Sequence, residues 1–331
     1  MKAIVQDTYG STEVLELRET ARPQIRANEV LVRVRAAGVN VADWALMSGL
    51  PLIARPAPLY GLRRPTNGVR GTDVAGVVEA VGSAVTRFQP GDEVFGWSGG
   101  SFAEFAAASE DGLAPKPANL TFEQAATVPM AGLVALQALR DHGKVEAGQQ
   151  VLINGASGGI GSFAVQIAKS LGAEVTGVCS TRNVELVRSL GADRVIDYTT
   201  EDFTNGDKRY DLILDNVANH SLSDLRRALT PTGMLVPNGG GFEHRWFASA
   251  DRLIRAALLF QLGSQRLGNF IVAKKQADLV ALTELIEAGA VTPVIDRIYP
   301  LGETPQAIGH VAAGHTRGKV AITLSQLAAA S

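Results

Sequence analysis

Apolar positions in the first part of the chain come in short bursts. Ile4-Val5, Val14-Leu15-Glu16-Leu17 and Val30-Leu31-Val32-Arg33-Val34 are divided by turn-forming residues, and residues 74–82 and 91–96 continue the pattern. Many short strands separated by glycine predict a folded-over barrel or sandwich. Residues 51–65, rich in proline and arginine, predict a surface loop. From Phe122 the period changes. Residues 122–139 predict a helix, and strands then alternate with helices: strand 151–154, helix 160–171, strand 174–178, a helix ending near Leu190 with Gly191 as its stop, and strands at 195–196, 211–215 and 234–236. Ile160, Ala164, Ile167, Ala168 and Leu171 fall on one helical face. Alternation of this kind builds a parallel, doubly wound sheet. Residues 239–268 break the rhythm with Gly239-Gly240-Gly241 and an amphipathic stretch at 253–262. Phe270-Ile271-Val272 predicts a last strand of the sheet. A helix at 275–288 and strands at 294–298 and 320–324 close the chain.

Bulk properties narrow the class. A length of 331 residues predicts two domains. A net charge of −2 gives no electrostatic case for nucleic acid or an anionic membrane surface. No run of about 18–20 apolar residues occurs, so no membrane span is expected. The N-terminus enters a strand pattern without a signal-peptide layout, which makes the cytoplasm the default expectation. Cys179 is the single cysteine, so neither an intrachain disulfide nor a thiolate zinc cluster can form within one chain. It closes a predicted strand and reads as buried packing.

The strongest chemical signal is Asn154-Gly155-Ala156-Ser157-Gly158-Gly159-Ile160-Gly161, which follows an apolar strand and opens an amphipathic helix. Glycines let the backbone approach a pyrophosphate, and the helix N-terminus offers free N–H groups and the positive end of a dipole. Ala156, Ser157, Gly158, Gly159 and Ile160 are therefore candidate cofactor contacts. An NAD site carries an acid at the end of the second strand; here that strand ends in Ser180-Thr181-Arg182. Two hydroxyls and a guanidinium suit a 2′-phosphate, which points to NADPH.

At these residues the chain resembles the medium-chain dehydrogenase/reductase family, and within it the zinc-independent quinone oxidoreductases related to zeta-crystallin. The resemblance is carried by residues 37–43, by 71–78 running on to 91–95, by 126–132, by the glycine-rich turn, by Leu190-Gly191-Ala192 and by Gly318-Lys319-Val320. It is nearest to the branch that contains reticulon-4-interacting protein. The resemblance implies an α/β fold, a Rossmann doubly wound parallel sheet plus a GroES-like β-rich catalytic domain. The expected division is 1–121 catalytic, 122–274 NADP-binding and 275–331 returning to the catalytic domain. Ser157, Gly159, Ile160, Ser180 and Tyr198 match that branch's cofactor contacts. Thr127 is expected on the nicotinamide side, and His315, Thr316 and Arg317 from the catalytic domain. Asn216 and Val236, where two further strands end, complete the expected contacts.

Departures from the zinc alcohol dehydrogenases bear on mechanism. Those enzymes carry a cysteine at the position of Asn40 and a Gly-His-Glu block at Gly71-Thr72-Asp73, and their four-cysteine lobe is absent here. Without a Lewis acid an activated acceptor is the easier substrate. The implied activity is NADPH-dependent hydride transfer, without zinc, to a quinone or α,β-unsaturated carbonyl. The alternatives are an NADP-dependent alcohol or aldehyde oxidoreductase, or a low-turnover NADPH-binding sensor or structural protein. Asn40, Asp43 and Tyr60 are the catalytic candidates, with Trp44 beside them. Asp43 reads equally as a helix cap or an ion-pair partner of Arg70. The expected partner is a small-molecule acceptor, with no nucleic acid and no membrane span. The resemblance further implies a homodimer through the sheet edge near residues 242–260.

Overall fold

The structure, a computed structural model, describes residues 1–56, 60–238, 250–261, 263–268 and 272–324. The chain divides into two compact units. The first holds Met1–Leu133, Lys274–Gly289 and the residues from Pro293 on; the second holds Val134–Ala273 and Ala290–Thr292.

In the first unit β1 (Lys2–Val5) pairs antiparallel with β2 (Glu16–Glu19). Val14 lies in a 3-10 turn, Thr12–Val14, so the strand expected from 14 starts two residues later. The spine is β3 (Glu29–Val39), longer than expected because Ala36, Ala37 and Val39 remain buried beyond Arg35. Helix α1 (Val41–Ser48) follows at once. Strand β4 (Asp73–Val81) lies antiparallel to β3, and β5 (Glu93–Trp97) to β4; β6 (Phe105–Ser109) pairs with β3, and β7 (Leu113–Pro115) with β5. Helix α2 (Phe122–Ala126) opens on a capping box: Thr121 Oγ1 accepts from Gln124 N at 3.2 Å, and Gln124 Oε1 accepts from Thr121 N at 3.0 Å. A Cβ on Gly38 would stand 2.3 Å from Ala126 O, so α2 lies directly against β3. This contact holds α2 within the first unit. The helix expected over 122–139 is broken. Thr127 Oγ1 donates to Gln124 O at 2.7 Å, and Pro129, which has no N–H, starts α3 (Pro129–Leu136); a π-helical segment, Gln137–His142, follows.

The second unit alternates β8 (Gln150–Asn154), α4 (Gly159–Ser170), β9 (Glu174–Cys179), α5 (Val184–Ser189), β10 (Arg194–Asp197), β11 (Tyr210–Asp215), α6 (Leu222–Ala228), β12 (Leu229–Pro237), α7 (Ala250–Phe260) and β13 (Arg266–Leu267). All pairings are parallel, in the order β10-β9-β8-β11-β12-β13. This is the Rossmann-type arrangement. Its order reverses between β8 and β11, and ligands of such sheets bind off the strands' carboxyl ends at that point. Helix α4 is buried all round from Gly161 to Ala168, not on one face only as its pattern suggested. Of the expected strand at 270–272, residues 270 and 271 lie outside the described residues. The last described strand of this sheet is β13.

Returning to the first unit, α8 (Gln276–Glu287) leads to β14 (Ile295–Pro300), α9 (Thr304–Ala312) and β15 (Lys319–Thr323). Strand β15 is parallel to β14 and antiparallel to β3, giving the order β14-β15-β3-β4-β5-β7. Ile4, Val32, Val34, Phe102, Ile308 and Ile322 sit in the core of this unit.

Candidate active site and nucleotide site

In the second unit, β8 runs into Gly155 at φ +78°, a left-handed conformation that suits glycine. The N–H groups of Gly155 and Ala156 donate to Val178 O at 3.2 and 2.9 Å, which ties the turn to β9. A Cβ on Gly161 would stand 2.1 Å from Gly155 O, so the start of α4 needs a bare backbone to reach the turn. Gly158 is different: a Cβ there would meet Gly155 O at 3.4 Å, an ordinary contact, so the backbone beyond it is open on the side facing away from the protein. The first N–H groups of α4 have no partner within their helix. These are features of a phosphate cradle.

The end of β9 extends it. Asn183, buried, donates from Nδ2 to Ser157 Oγ at 3.0 Å and to Ser180 Oγ at 3.2 Å. Both serine oxygens are thereby used as acceptors, which leaves their O–H protons to donate elsewhere. Asn183 Oδ1 is buried and unpartnered. Thr181 Oγ1 lies 3.0 Å from Thr199 Oγ1, and Thr181 and Thr199 hydrogen bonds hold the Asp197 carboxyl below its ordinary range. Arg182 and Tyr198 are exposed on the same edge. Asn216 is committed to the scaffold: Nδ2 donates to Asn154 O at 3.1 Å and Oδ1 accepts from Asn238 Nδ2 at 2.7 Å. Val236 has no exposed side chain. Asp215 fixes the switch point, accepting from Asn154 Nδ2 at 2.9 Å and pairing with Arg252 at 3.1 Å. Cys179 is buried, and burial pushes its thiol up to about 11, as suits packing.

In the first unit, Asn40 is the N-cap of α1. Its backbone N–H donates to Asp43 Oδ2 at 2.8 Å. Asp43 is 1% exposed, and burial pushes its carboxyl up to about 7. It is thus a cap, and no ion pair with Arg70 forms. Asn40 Oδ1 accepts from Lys319 Nζ, which also donates to Val39 O at 3.0 Å. Asp73 is buried, accepts from Met130 N at 3.0 Å, and burial raises its carboxyl. Burial lowers the Lys319 ammonium while Asp73 and Asp43 oppose that shift. Tyr60 donates to Leu50 O at 3.2 Å and its phenol is raised by burial. Thr127 is buried with its hydroxyl spent on Gln124 O, and Trp44 lies partly buried against the core. His315, Thr316 and Arg317 occupy the turn between Gly314 (φ +74°) and Gly318 (φ +83°), with His315 and Arg317 exposed.

Sequence reasoning did not single out Asn183, and it met Lys319 only as the end of the stretch 314–319 that matches the branch's cofactor contacts, not as a partner of Asn40. The signal for Lys319 was available: a lone cation at the head of an otherwise apolar strand must bring its counter-charges with it. Among the described residues no three His, Cys, Asp or Glu side chains come together to share a metal ion, and Asn40 already answers an ammonium. The cradle of the second unit does fit a dinucleotide, with Ser157, Gly158, Ser180 and Arg182 as the residues that would hold it.

Comparison with known proteins agrees with both units. Residues 26–118 match the alcohol dehydrogenase GroES-like domain, and residues 190–322 match the family described as zinc-binding dehydrogenase. The chain is 36% identical to the mitochondrial NAD(P)H oxidoreductase RTN4IP1 of Mus musculus, over 98% of this chain and 89% of that protein. It is 33% identical to a chloroplastic NADPH-dependent alkenal/one oxidoreductase of Arabidopsis thaliana, over 97% of this chain and 79% of that one. Among solved structures, the quinone oxidoreductase of Coxiella burnetii superposes with a TM-score of 0.85 at 32% identity, covering 98% of this chain and 99% of that one. The chain belongs to the medium-chain dehydrogenase/reductase family.

Proposed function

We propose that the protein is an NADPH-dependent, zinc-independent oxidoreductase that delivers hydride to a quinone or an α,β-unsaturated carbonyl compound. The observation that carries the cofactor is the glycine cradle before α4, flanked by Ser157, Ser180 and Arg182 with no acid at the end of β9. A 2′-phosphate is matched by hydroxyl donors and a guanidinium and would be repelled by the acid that NAD sites use. When bound, NADPH supplies the hydride.

The first unit and the relatives support the acceptor class. A simple alcohol needs a Lewis acid or a strong base to lose its hydroxyl proton, and the Asn40–Lys319 pair supplies neither an open metal position nor a free base. An electron-poor C=C–C=O system needs only an oriented hydride, a proton, and a donor to the oxygen that gains charge. Both relatives named for their acceptors, the alkenal/one and the quinone oxidoreductases, belong to this chemistry. Asp43, whose carboxyl burial raises to about 7 and whose Oδ1 is buried without a partner, is the assigned donor beside Asn40 and Tyr60.

The test is anaerobic NADPH oxidation over quinones, enones, aldehydes and alcohols, run on protein dialysed against a chelator. Turnover is expected with quinones or enones, none with simple alcohols plus NADP+, and no loss on chelation. Arg182→Ala should raise the NADPH Kd about 10- to 150-fold, the loss of one charge-assisted contact, and leave NADH little changed. Equal effects on the two nucleotides remove the 2′-phosphate assignment, and a silent panel removes the reductase.

A further inference from the structure

Arg70 is a cation that the proposed reaction does not use. It precedes Gly71 and β4, with its backbone N–H on Ile4 O at 3.1 Å and its carbonyl accepting from Phe102 N at 2.8 Å. Its position is therefore fixed between β1 and the segment before β6. The side chain is 6% exposed, and its Nε and Nη2 are buried with no acceptor in the protein. Those two nitrogens form the side-on fork of the guanidinium, the face that grips both oxygens of a carboxylate at once. Burying a guanidinium costs several kcal/mol, and unmatched donors add to that cost. Asp43 does not relieve it. Its charge reaches Arg70, but Oδ2 is taken by Asn40 N–H and Oδ1 is itself buried and unmatched. Gln6 Oε1, just after β1, and Ser101 Oγ, just before Phe102, are unmatched on the same two flanking segments.

An apolar side chain would fill this place without those costs, so stability does not explain an arginine here. A ligand that closes the fork does. The one fork matches a planar monoanion. A dianion such as phosphate would leave a second negative charge that the single guanidinium cannot neutralise in so buried a place.

We propose that Arg70 is a substrate-recognition residue whose Nε/Nη2 fork takes a carboxylate borne by the hydride acceptor, beside Asp43 at the start of α1. The preferred substrates are then acidic enones or acidic quinones. This specificity rests on the reductase reading above, and the experiment separates the two.

The wild-type protein is assayed with NADPH against a short γ-oxo-α,β-unsaturated acid and its methyl ester. The expected kcat/KM favours the acid about 10- to 100-fold. Arg70→Met erases the preference, and Arg70→Lys restores it only in part, since an ammonium cannot make the fork. Calorimetry with the saturated γ-keto acid, which accepts no hydride, should show binding to wild type in the presence of NADP+, loss of that binding in Arg70→Met, and no competition by inorganic phosphate. If wild type reduces acid and ester equally and the keto acid does not bind, the fork is served by buried water alone; the proposal falls and the reductase stands. If neither enone is reduced but the keto acid binds through Arg70, the carboxylate site stands and the reductase reading falls.

Discussion

Asn40, Asp43, Asp73 and Lys319 place two carboxyls and an ammonium where water barely reaches. Each ionisation there is set by burial against its partners, so the group leaves a signature in stability as a function of pH. The Asp43 carboxyl rises from 3.8 to about 7 on folding. Between those values the folded state binds a proton that the unfolded state has lost. The contribution is therefore fully present below about pH 4 and is lost as pH rises through about 7. Asp43→Asn keeps an acceptor for the Asn40 N–H but cannot titrate. The wild-type unfolding free energy minus that of the variant should fall between about pH 4 and pH 7 and level off above about pH 8. Denaturant titrations at each pH give that difference, and because Asp73 and Lys319 are present in both proteins their own titration largely cancels. A difference that is flat across the window means that Asp43 is already ionised and holds no proton for the acceptor.

The turn from β8 to α4 was legible because several signals coincide there: an apolar run, glycines at the right spacing and a helical pattern after them. Elements without that redundancy were harder. Strand β6 reads Phe-Ala-Ala-Ala-Ser, whose alanines have little strand preference and are fixed by pairing with β3. Helix α9 is short and carries Pro305 near its start and Gly309 inside. The two glycines of the turn offer a separation of roles at this scale. Gly161→Ala drives a Cβ into Gly155 O and should destabilise the second unit by about 1–3 kcal/mol, as overpacking does. Gly158→Ala makes only an ordinary contact and should leave the melting temperature of the free protein close to wild type, yet it adds a methyl group to the turn proposed to take the pyrophosphate, so NADPH affinity should drop. Melting curves and fluorescence titrations of both variants check this. If Gly158→Ala binds NADPH as wild type does, the phosphates do not lie on this turn.

At the scale of the whole molecule, the alternation of strands and helices announced the parallel sheet, but nothing local announced how the chain's last segment completes the first unit. The pairing of β15 with β3 joins Val320 to Val39 and Ala321 to Gly38, across most of the chain, and the same pairing carries Lys319 to Asn40. A sequence pattern shows that 320–324 is a strand; only the fold shows which strand it meets. The Asn40–Lys319 pair of the first unit thus depends on a long-range contact, whereas the glycine turn and the end of β9, the proposed cradle, are segments of the second unit. Ligand binding should therefore act on stability through that second unit. NADPH at about 100 times its Kd stabilises the state that binds it by about 2.7 kcal/mol. For a unit of this size that is an upward shift of roughly 5–10 °C in its unfolding transition. Calorimetry of the full chain with NADPH, and with NADH at the same concentration, should show the larger shift for NADPH if, as proposed, its 2′-phosphate meets Ser180 and Arg182. Equal shifts would mean that those residues cap and solvate the start of α5 and do not choose the nucleotide.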